Sequence, residues 1–421
     1  MAALDAATAR SGQQVAATVA LAGGAAAPLL GVLDRDGEEA RIVGGAVRDA
    51  LLGAPIGDID IATTAPPEEV IRRAEAAGFK AVPTGIAHGT LTVVVAGRPF
   101  EVTTLREDVE TFGRKALVRF GRDWKADAER RDFTMNALSA QPDGTLHDYV
   151  GGLADLRDRR VRFIGDPATR IAEDYLRILR FFRFHAAYGE SELDAAGLHA
   201  CIAARAGLER LSRERVRMEV LKLLIARGAE PALSAMAEAG LLLAVLGGVP
   251  LIPTFAAMQA REAALGLAPD AIRRLGALAV LVSEDAERLW QRLRLTNIEH
   301  ERLTAMGEGW WRVAPHDGEN GARALLYRRG PQQFVDVVLM AWAHAQADAA
   351  DAGWRGLATL PQRWRAPAFP LKAADFIARG VAKGPALGAA MRAAEAAWIA
   401  AGFPADAGAL AQIADKGAGA G

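Results

Sequence analysis

Two glycines at 44 and 45, with the triplet Asp58-Ile59-Asp60 shortly after them, constrain this chain more than any other feature. Arg41-Ile42-Val43 reads as a short strand, and the glycines let the backbone turn tightly behind it and approach a ligand closely. Val47 to Leu52 reads as the opening turns of a helix, so free N–H groups and a positive helix end face an anion. Gly57-Asp58-Ile59-Asp60-Ile61-Ala62 alternates polar and apolar residues like a half-buried strand. A period of two puts Asp58 and Asp60 on one face and sends Ile59 and Ile61 into the core. Two carboxylates about 7 Å apart along a strand can hold Mg²⁺ against nucleotide phosphates, as two-metal phosphoryl transfer requires. A Gly-Gly turn alone is common in α/β domains, and an Asp-x-Asp alone is usually a solvated strand face. Their conjunction at this spacing carries the reading.

At 421 residues and 44.5 kDa the chain is too long for one compact core, so two to four domains are expected. Apolar content of 51% with 24% charged residues describes a soluble globular protein. No apolar run of about 20 residues occurs, which argues against a membrane span. The Ala-rich first 27 residues carry Asp5 and Arg10 and lack a signal-peptide pattern. The single cysteine, Cys201, rules out an internal disulfide framework, and the seven histidines show no zinc spacing. Cytoplasmic residence is the resulting expectation.

Residues 28 to about 160 alternate strand-like and helical segments. Pro66-Pro67-Glu68-Glu69 opens a helix, and 90–95 and 100–104 read as strands joined by a turn at Gly97-Arg98-Pro99. From about Asp155 onward helical periodicity dominates, with breaks near Gly228, Pro250 to Pro253, Pro315 to Gly321 and Pro367 to Pro370. The glycine-rich stretch 417–421 is expected to be disordered. The fold class is α+β: a small sheet head with helices, then all-α neck, body and tail.

Further motifs follow in order. They are Arg130-Arg131-Asp132-Phe133-Thr134-Met135-Asn136-Ala137-Leu138, then Glu173-Asp174-Tyr175-Leu176-Arg177 running on to Phe184, and Glu214 to Leu224. With the glycine turn and the Asp pair, these motifs closely resemble the class II tRNA nucleotidyltransferases (CCA-adding enzymes) and the related bacterial poly(A) polymerases. The resemblance covers roughly residues 28 to 225. It implies an N-terminal extension over 1–27, a catalytic head over 28–158, a base-reading neck over 159–228, and a tRNA-binding body and tail over 229–421. It also implies CTP and ATP as substrates, tRNA as partner and Mg²⁺ as cofactor.

Phosphoryl transfer needs positioning and charge neutralisation more than covalent chemistry. On this reading Gly45 and its neighbours' N–H groups hold the triphosphate, Arg48 adds positive charge, and Asp58 and Asp60 hold Mg²⁺. The resemblance adds Glu101 as a candidate third metal carboxylate; the alternative is a solvent-facing glutamate on an edge strand. Arg131 and Asp132, as a pair, are expected to read the ribose 2′-hydroxyl, with Asn136 on the same face of a helix. Otherwise they form a local ion pair that docks that helix.

Asp174, Arg177, Arg180 and Arg183 recur every three residues and would form a stripe on one side of a helix. A salt-bridged exposed helix would look the same. Base chemistry offers a sharper explanation. Cytosine and adenine both present an NH₂ donor beside a ring-nitrogen acceptor, which a carboxylate and a guanidinium side by side can match. Uracil and guanine present the reverse and would leave both groups unsatisfied, a mismatch able to reject a substrate by ~10⁴-fold. In the class II family the positions matching Asp174 and Arg177 do this, which leaves Arg180 and Arg183 beside the base and phosphates.

Ser212 is expected to N-cap the next helix, whose Arg215, Arg217, Glu219 and Lys222 buttress the base-reading helix or touch RNA. Residues 106–129 read as a polar loop corresponding to one that helps such enzymes switch from CTP to ATP; Phe112 stands where relatives typically carry an acid. Phe369-Pro370-Leu371-Lys372 and Trp398 resemble the family's tRNA-gripping tail. The net charge of −1 suggests a modest RNA footprint, with cations concentrated at Arg177, Arg180 and Arg183 and from Arg210 to Lys222. The reading is a CCA-adding enzyme. A poly(A) polymerase, a CC-adding or A-adding partial enzyme, and a catalytically dead RNA-binding module are the alternatives.

Overall fold

The computed structural model describes residues 17, 20–21, 23–86, 89–112 and 115–419, with side chains for all of these outside 107–119 and 317. The chain divides into two compact units, Met1–Leu211 with Ala226–Gly228, and Ser212–Ile225 with Ala229–Gly421.

In the first unit the strands Ala40–Val43 (β1), Asp60–Thr63 (β2), Lys80–Gly85 (β3), Thr90–Val95 (β4) and Arg98–Thr104 (β5) join two short strands further along the chain. Arg106–Phe112 (β6) and Lys115–Phe120 (β7) form a separate antiparallel pair, while Ser139–Ala140 (β8) and Leu146–His147 (β9) complete the main sheet. Its order is β3-β4-β5-β2-β1-β8-β9. β4 shows the expected alternation, with Leu91, Val93 and Val95 buried. β1 is buried along its whole length, and Arg41 is tolerated there because its guanidinium stacks 3.9 Å from the Trp124 ring and donates to the Tyr149 hydroxyl.

Helices Ala27–Leu33 (α1), Gly45–Leu52 (α2) and Pro67–Ala76 (α3) accompany these strands. α3 starts where its proline and acids place it, and its buried Arg73 donates to Glu69 and to the Leu33 and Arg35 carbonyls. After the sheet come Pro167–Glu173 (α4) and Leu176–Tyr188 (α5). Phe181 and Phe184 of α5 pack with Phe133 and Phe163, with centroids 4.9 Å apart for Phe133–Phe163 and 5.4 Å for Phe163–Phe181. An isolated bridge between Phe133 and Phe163 locks this aromatic cluster to the backbone.

The second unit is helical. Ile252–Ala264 (α7), Ala271–Ala279 (α8) and Asn297–Gly309 (α9) pack on the long segment Gly318–Ala345 (α10), and Arg213–Leu224 (α6) packs on α8. Gly330, with φ 71° and ψ 169°, interrupts α10 just before Pro331. Its second half carries Asp336, which is fully buried and accepts from Arg273 and Arg302, while Glu262 accepts from Arg273 and Arg274. A further core forms where Pro385–Ala400 (α11) and Ala407–Ala418 (α12) enclose Trp398, with Phe369, Leu371 and Tyr327 packed against it.

Several sequence expectations need correction. The 90–104 hairpin turns at Ala96-Gly97, and Pro99 already lies in β5 opposite Val94. Residues 106–120 are a β-hairpin rather than a loop, with β6 and β7 paired antiparallel outside the main sheet. The backbone of Phe112 ends β6, its side chain lies outside the described residues, and so do Gly113 and Arg114. Ser212 occupies the N-cap position of α6 without a side-chain capping bond. Gly417 is helical and buried instead of disordered, because a Cβ there would meet the Ala390 carbonyl and Ala394 at 2.8 Å. Ala420 and Gly421 fall outside the described residues, as does most of the stretch 1–22.

Candidate active site

Sheet registry brings the turn and the carboxylates together. β1 pairs antiparallel with β2 and β2 pairs parallel with β5, so Val43, Asp60 and Glu101 stand side by side on three adjacent strands. Gly44 follows Val43 directly and takes φ 71°, a left-handed value that favours glycine. A Cβ on Gly44 would lie 2.8 Å from Arg131 Nη1, so the turn is also closed to side chains by a neighbouring guanidinium. Gly45 is the first residue of α2, and the first-turn N–H groups behind it have no intrahelical acceptor. The site therefore has an anion-seeking helix end one strand away from a row of acids.

Asp58 and Asp60 are exposed and Ile59 between them is buried, which preserves the expected alternation. The regular strand begins only at Asp60, however, and Asp58 lies in the approach to it. Glu101 pairs directly with Asp60 on β5. That strand lies between β4 and β2, so Glu101 is exposed, as the alternative has it, but not on an edge strand.

The charge state of these groups tests whether they suit a divalent cation. Burial pushes the Asp60 carboxyl above the usual range and Asp58 adds to the rise, against the pull of Arg131. Glu101 is pushed up by burial and then by Asp60 and Asp58. Acids crowded in this way make an anionic pocket that a bound cation relieves. Among the described residues no three acid, histidine or cysteine side chains are gathered tightly enough to hold an ion by themselves. A divalent ion held here would take one or two carboxylates and complete its shell with water and substrate phosphates.

The Arg131–Asp132 pair does not form. Arg131 binds Asp127 at 3.1 Å and donates to the Asn136 carbonyl, which leaves it facing the glycine turn. Asp132 accepts from the Phe133 N–H at 2.9 Å, Asn136 Nδ2 at 3.1 Å and Arg180 Nε at 2.7 Å. Burial would raise this carboxyl, but Arg180 and these hydrogen bonds outweigh it and hold it below the usual range. The segment is a single 3-10 turn, Thr134–Asn136, rather than an α-helix. Backbone bonds from Thr134 to Arg162 and from Ile164 to Asp132 tie it down at both ends.

The expected stripe on one helix is broken at its start. Asp174 sits in extended conformation between α4 and α5, just ahead of the N-cap Tyr175, its Oδ1 accepting from the Leu176 N–H at 3.1 Å. Its carbonyl accepts from the Arg177 N–H at 3.0 Å, so the two residues still close one turn. Arg177 turns to Glu173 at 2.5 Å and to the Arg170 carbonyl at 2.7 Å. Arg180 and Arg183 follow along α5, both half-buried, while Ile178, Leu179 and Phe182 enter the core as expected.

Arg48 departs furthest from expectation. Only 6% exposed, it is engaged by Asp49, Asn136 and Tyr188 rather than presented openly to a phosphate. Asp127 and Tyr188 are members of the site that motif reading missed. Tyr188 is 140 positions from its partner Arg48, and no local pattern marks so distant a contact. In the second unit, Arg217 of α6 is paired with Glu299 of α9.

Comparison with known proteins places this geometry. Residues 40–162 match a family described as the poly A polymerase head domain, and residues 192–252 match one described as a probable RNA and SrmB binding site of polymerase A. A CCA-adding enzyme from Limosilactobacillus fermentum is 34% identical over 318 residues, covering 75% of this chain and 78% of that protein. The mitochondrial CCA tRNA nucleotidyltransferase 1 of Danio rerio is 43% identical over 267 residues, covering 62% of this chain and 61% of the relative. Against several other curated relatives the chain spans only about half of their length. A crystal structure of the Bacillus stearothermophilus CCA-adding enzyme in complex with CTP superposes with a TM-score of 0.70 at 29% identity, covering 90% of this chain and 92% of that one.

Proposed function

The chain belongs to the family of CCA-adding tRNA nucleotidyltransferases and poly(A) polymerases, and we propose that it adds C, C and A to tRNA 3′ ends from CTP and ATP without a nucleic-acid template. The observation that carries this reading is the registry of Val43, Asp60 and Glu101, which sets a glycine turn and helix end against a row of carboxylates. The family implies a divalent metal ion, and we assign it as Mg²⁺, held by Asp58 and Asp60 with Glu101 as a third acid beside them. When bound, the ion would activate an RNA 3′-hydroxyl and offset charge on the departing pyrophosphate.

The chain's own residues do the rest. Gly45 and the first-turn N–H groups of α2 receive the triphosphate, and Arg131 supplies positive charge at the turn. Asp132, oriented by Asn136 and Arg180, is placed to accept from a ribose hydroxyl. Asp174 and Arg177 present a carboxylate and a guanidinium to the pairing edge of the base, with Arg180 and Arg183 next along the same helix. Catalytic head 28–158, neck 159–228, and body and tail 229–421 belong to the same proposal, the last gripping tRNA. Residue 27 bounds the N-terminal extension.

Among the described residues no helix is long and apolar enough to cross a membrane. Residence in the cytoplasm is supported by a single, buried cysteine, which gives no disulfide framework that an oxidising compartment would serve. Sequencing of product ends tests the proposal. tRNA lacking its 3′ end should gain C with CTP alone and CCA with CTP and ATP together, and should gain nothing from UTP or GTP. A-tails alone would move the chain to the poly(A) polymerases of the same family.

A further inference from the structure

A guanidinium meant for a triphosphate should reach solvent, yet the donors of Arg48 are directed into the protein. Nε and Nη2 donate to the two Asp49 oxygens at 2.9 and 3.1 Å, Nη1 donates to Asn136 Oδ1 at 2.6 Å, and Nη2 also donates to the Tyr188 hydroxyl at 2.7 Å. The Arg48 guanidinium carbon lies 3.9 Å from the Tyr188 ring centroid. Tyr188 is the last residue of α5, the helix that opens immediately after Asp174. A second link runs through Asn136, whose Nδ2 donates to Asp132 while Asp132 accepts from Arg180 on the same helix. Phe184 lies between the links, with Arg48, Arg180 and Arg183 at 5.4, 5.2 and 4.3 Å from its ring.

These contacts join α2, whose first turn follows the glycines, to the helix whose other end carries Arg177. Charge-assisted hydrogen bonds in a poorly solvated setting are strong and directional, so the two helices are held in one phase. Resting on the function proposed above, we infer that Tyr188 and Asn136 are positioning residues: acting through Arg48, they fix the base-reading end of α5 relative to the phosphate cradle. A protein that chooses a base without a template has to hold that distance, because a nucleotide anchored by its phosphates meets Asp174 and Arg177 correctly at only one spacing.

Tyr188→Phe keeps the ring and its packing on Phe184 and removes only the hydroxyl, which accepts from Arg48 and donates to Asp49, the other partner of that guanidinium. Incorporation of CTP and ATP should fall on the order of tenfold, as expected when the charge-assisted hydrogen bonds of one hydroxyl are lost, and UTP and GTP should gain on them by a similar factor. Arg48→Lys, which keeps the charge but cannot span three partners, should do the same and serves as the second variant if Tyr188→Phe folds poorly. In an Asp174→Ala background, Tyr188→Phe should leave discrimination where Asp174→Ala has put it, since both act on one step. An equal loss for all four nucleotides would mean a merely structural role and overturn the inference, as would wild-type selectivity or an additive effect in the double variant. CTP-to-UTP affinity ratios from calorimetry should narrow in the same variants, which reads the effect without turnover. The coupling is thereby tested even if the wild-type protein adds no CCA to tRNA, a result that would refute the proposed function instead.

Discussion

Asp60 and Glu101 are register partners on adjacent parallel strands, so two acids distant in sequence share one rung of the sheet. Burial pushes both carboxyls upward, Asp58 adds to the rise of each, and Asp60 adds to that of Glu101. Asp58→Asn or Asp60→Asn keeps side-chain shape and removes the charge, and should cut nucleotide incorporation by ~10²-fold or more with tRNA affinity little changed. Glu101→Gln should raise the Mg²⁺ concentration needed for half-maximal activity. An unchanged metal titration would remove Glu101 from the metal site.

Base choice should depend on Asp174 and Arg177. Asp174→Ala should reduce CTP and ATP incorporation and let UTP and GTP compete, eroding a discrimination of the ~10⁴ class that unsatisfied polar groups provide. Arg177→Ala should act in the same direction. Competition assays with all four nucleotides measure this, and unchanged selectivity in both variants would locate base reading elsewhere.

Acid should weaken the first unit through Asp127 and Asp132. Burial would raise both carboxyls, but Arg131 and Arg130 hold Asp127 low, and Arg180 with two N–H donors holds Asp132 low. A group whose folded-state pKa lies below its unfolded value contributes stability above the ordinary aspartate range. That contribution is lost as pH falls through the folded value. Urea midpoints should therefore drop below about pH 4, and Asp132→Asn should flatten that decline while lowering stability at neutral pH.

The second unit is expected to depend on its buried ions. Asp336 is fully buried between Arg273 and Arg302, at 2.9 and 2.7 Å. Asp336→Ala should cost about 3–5 kcal/mol, because it removes the acid shared by two guanidinium groups in a poorly solvated core and leaves Arg273 with Glu262 and Arg302 with Asp270. Thermal melting of the full chain measures the loss. Replacing acid and arginines together by apolar residues of similar volume should restore most of it.

The sequence was most legible where chemistry is local. The strand before Gly44, the helix opened by Pro67, the alternation around Ile59 and the helical second half all follow from turn residues and period. Legibility failed where partners are distant. Arg131 chose Asp127 over its neighbour Asp132, and Arg48 turned inward to Tyr188, because burial of charge is settled by whichever acceptor the fold brings near. The three-residue spacing of Asp174, Arg177, Arg180 and Arg183 also reads as one continuous helix. Nothing local announces that Asp174 ends one helix and stands outside the next.

Addition that stops at three nucleotides is the central claim, and a primer comparison tests it most directly. The protein should be given tRNA ending at its discriminator base, and separately an unstructured RNA, with CTP and ATP together and with ATP alone. The predicted result is CCA on tRNA followed by arrest, with little extension of the unstructured RNA under either condition. Long A-tails on arbitrary RNA, formed as efficiently as CCA on tRNA, would contradict it.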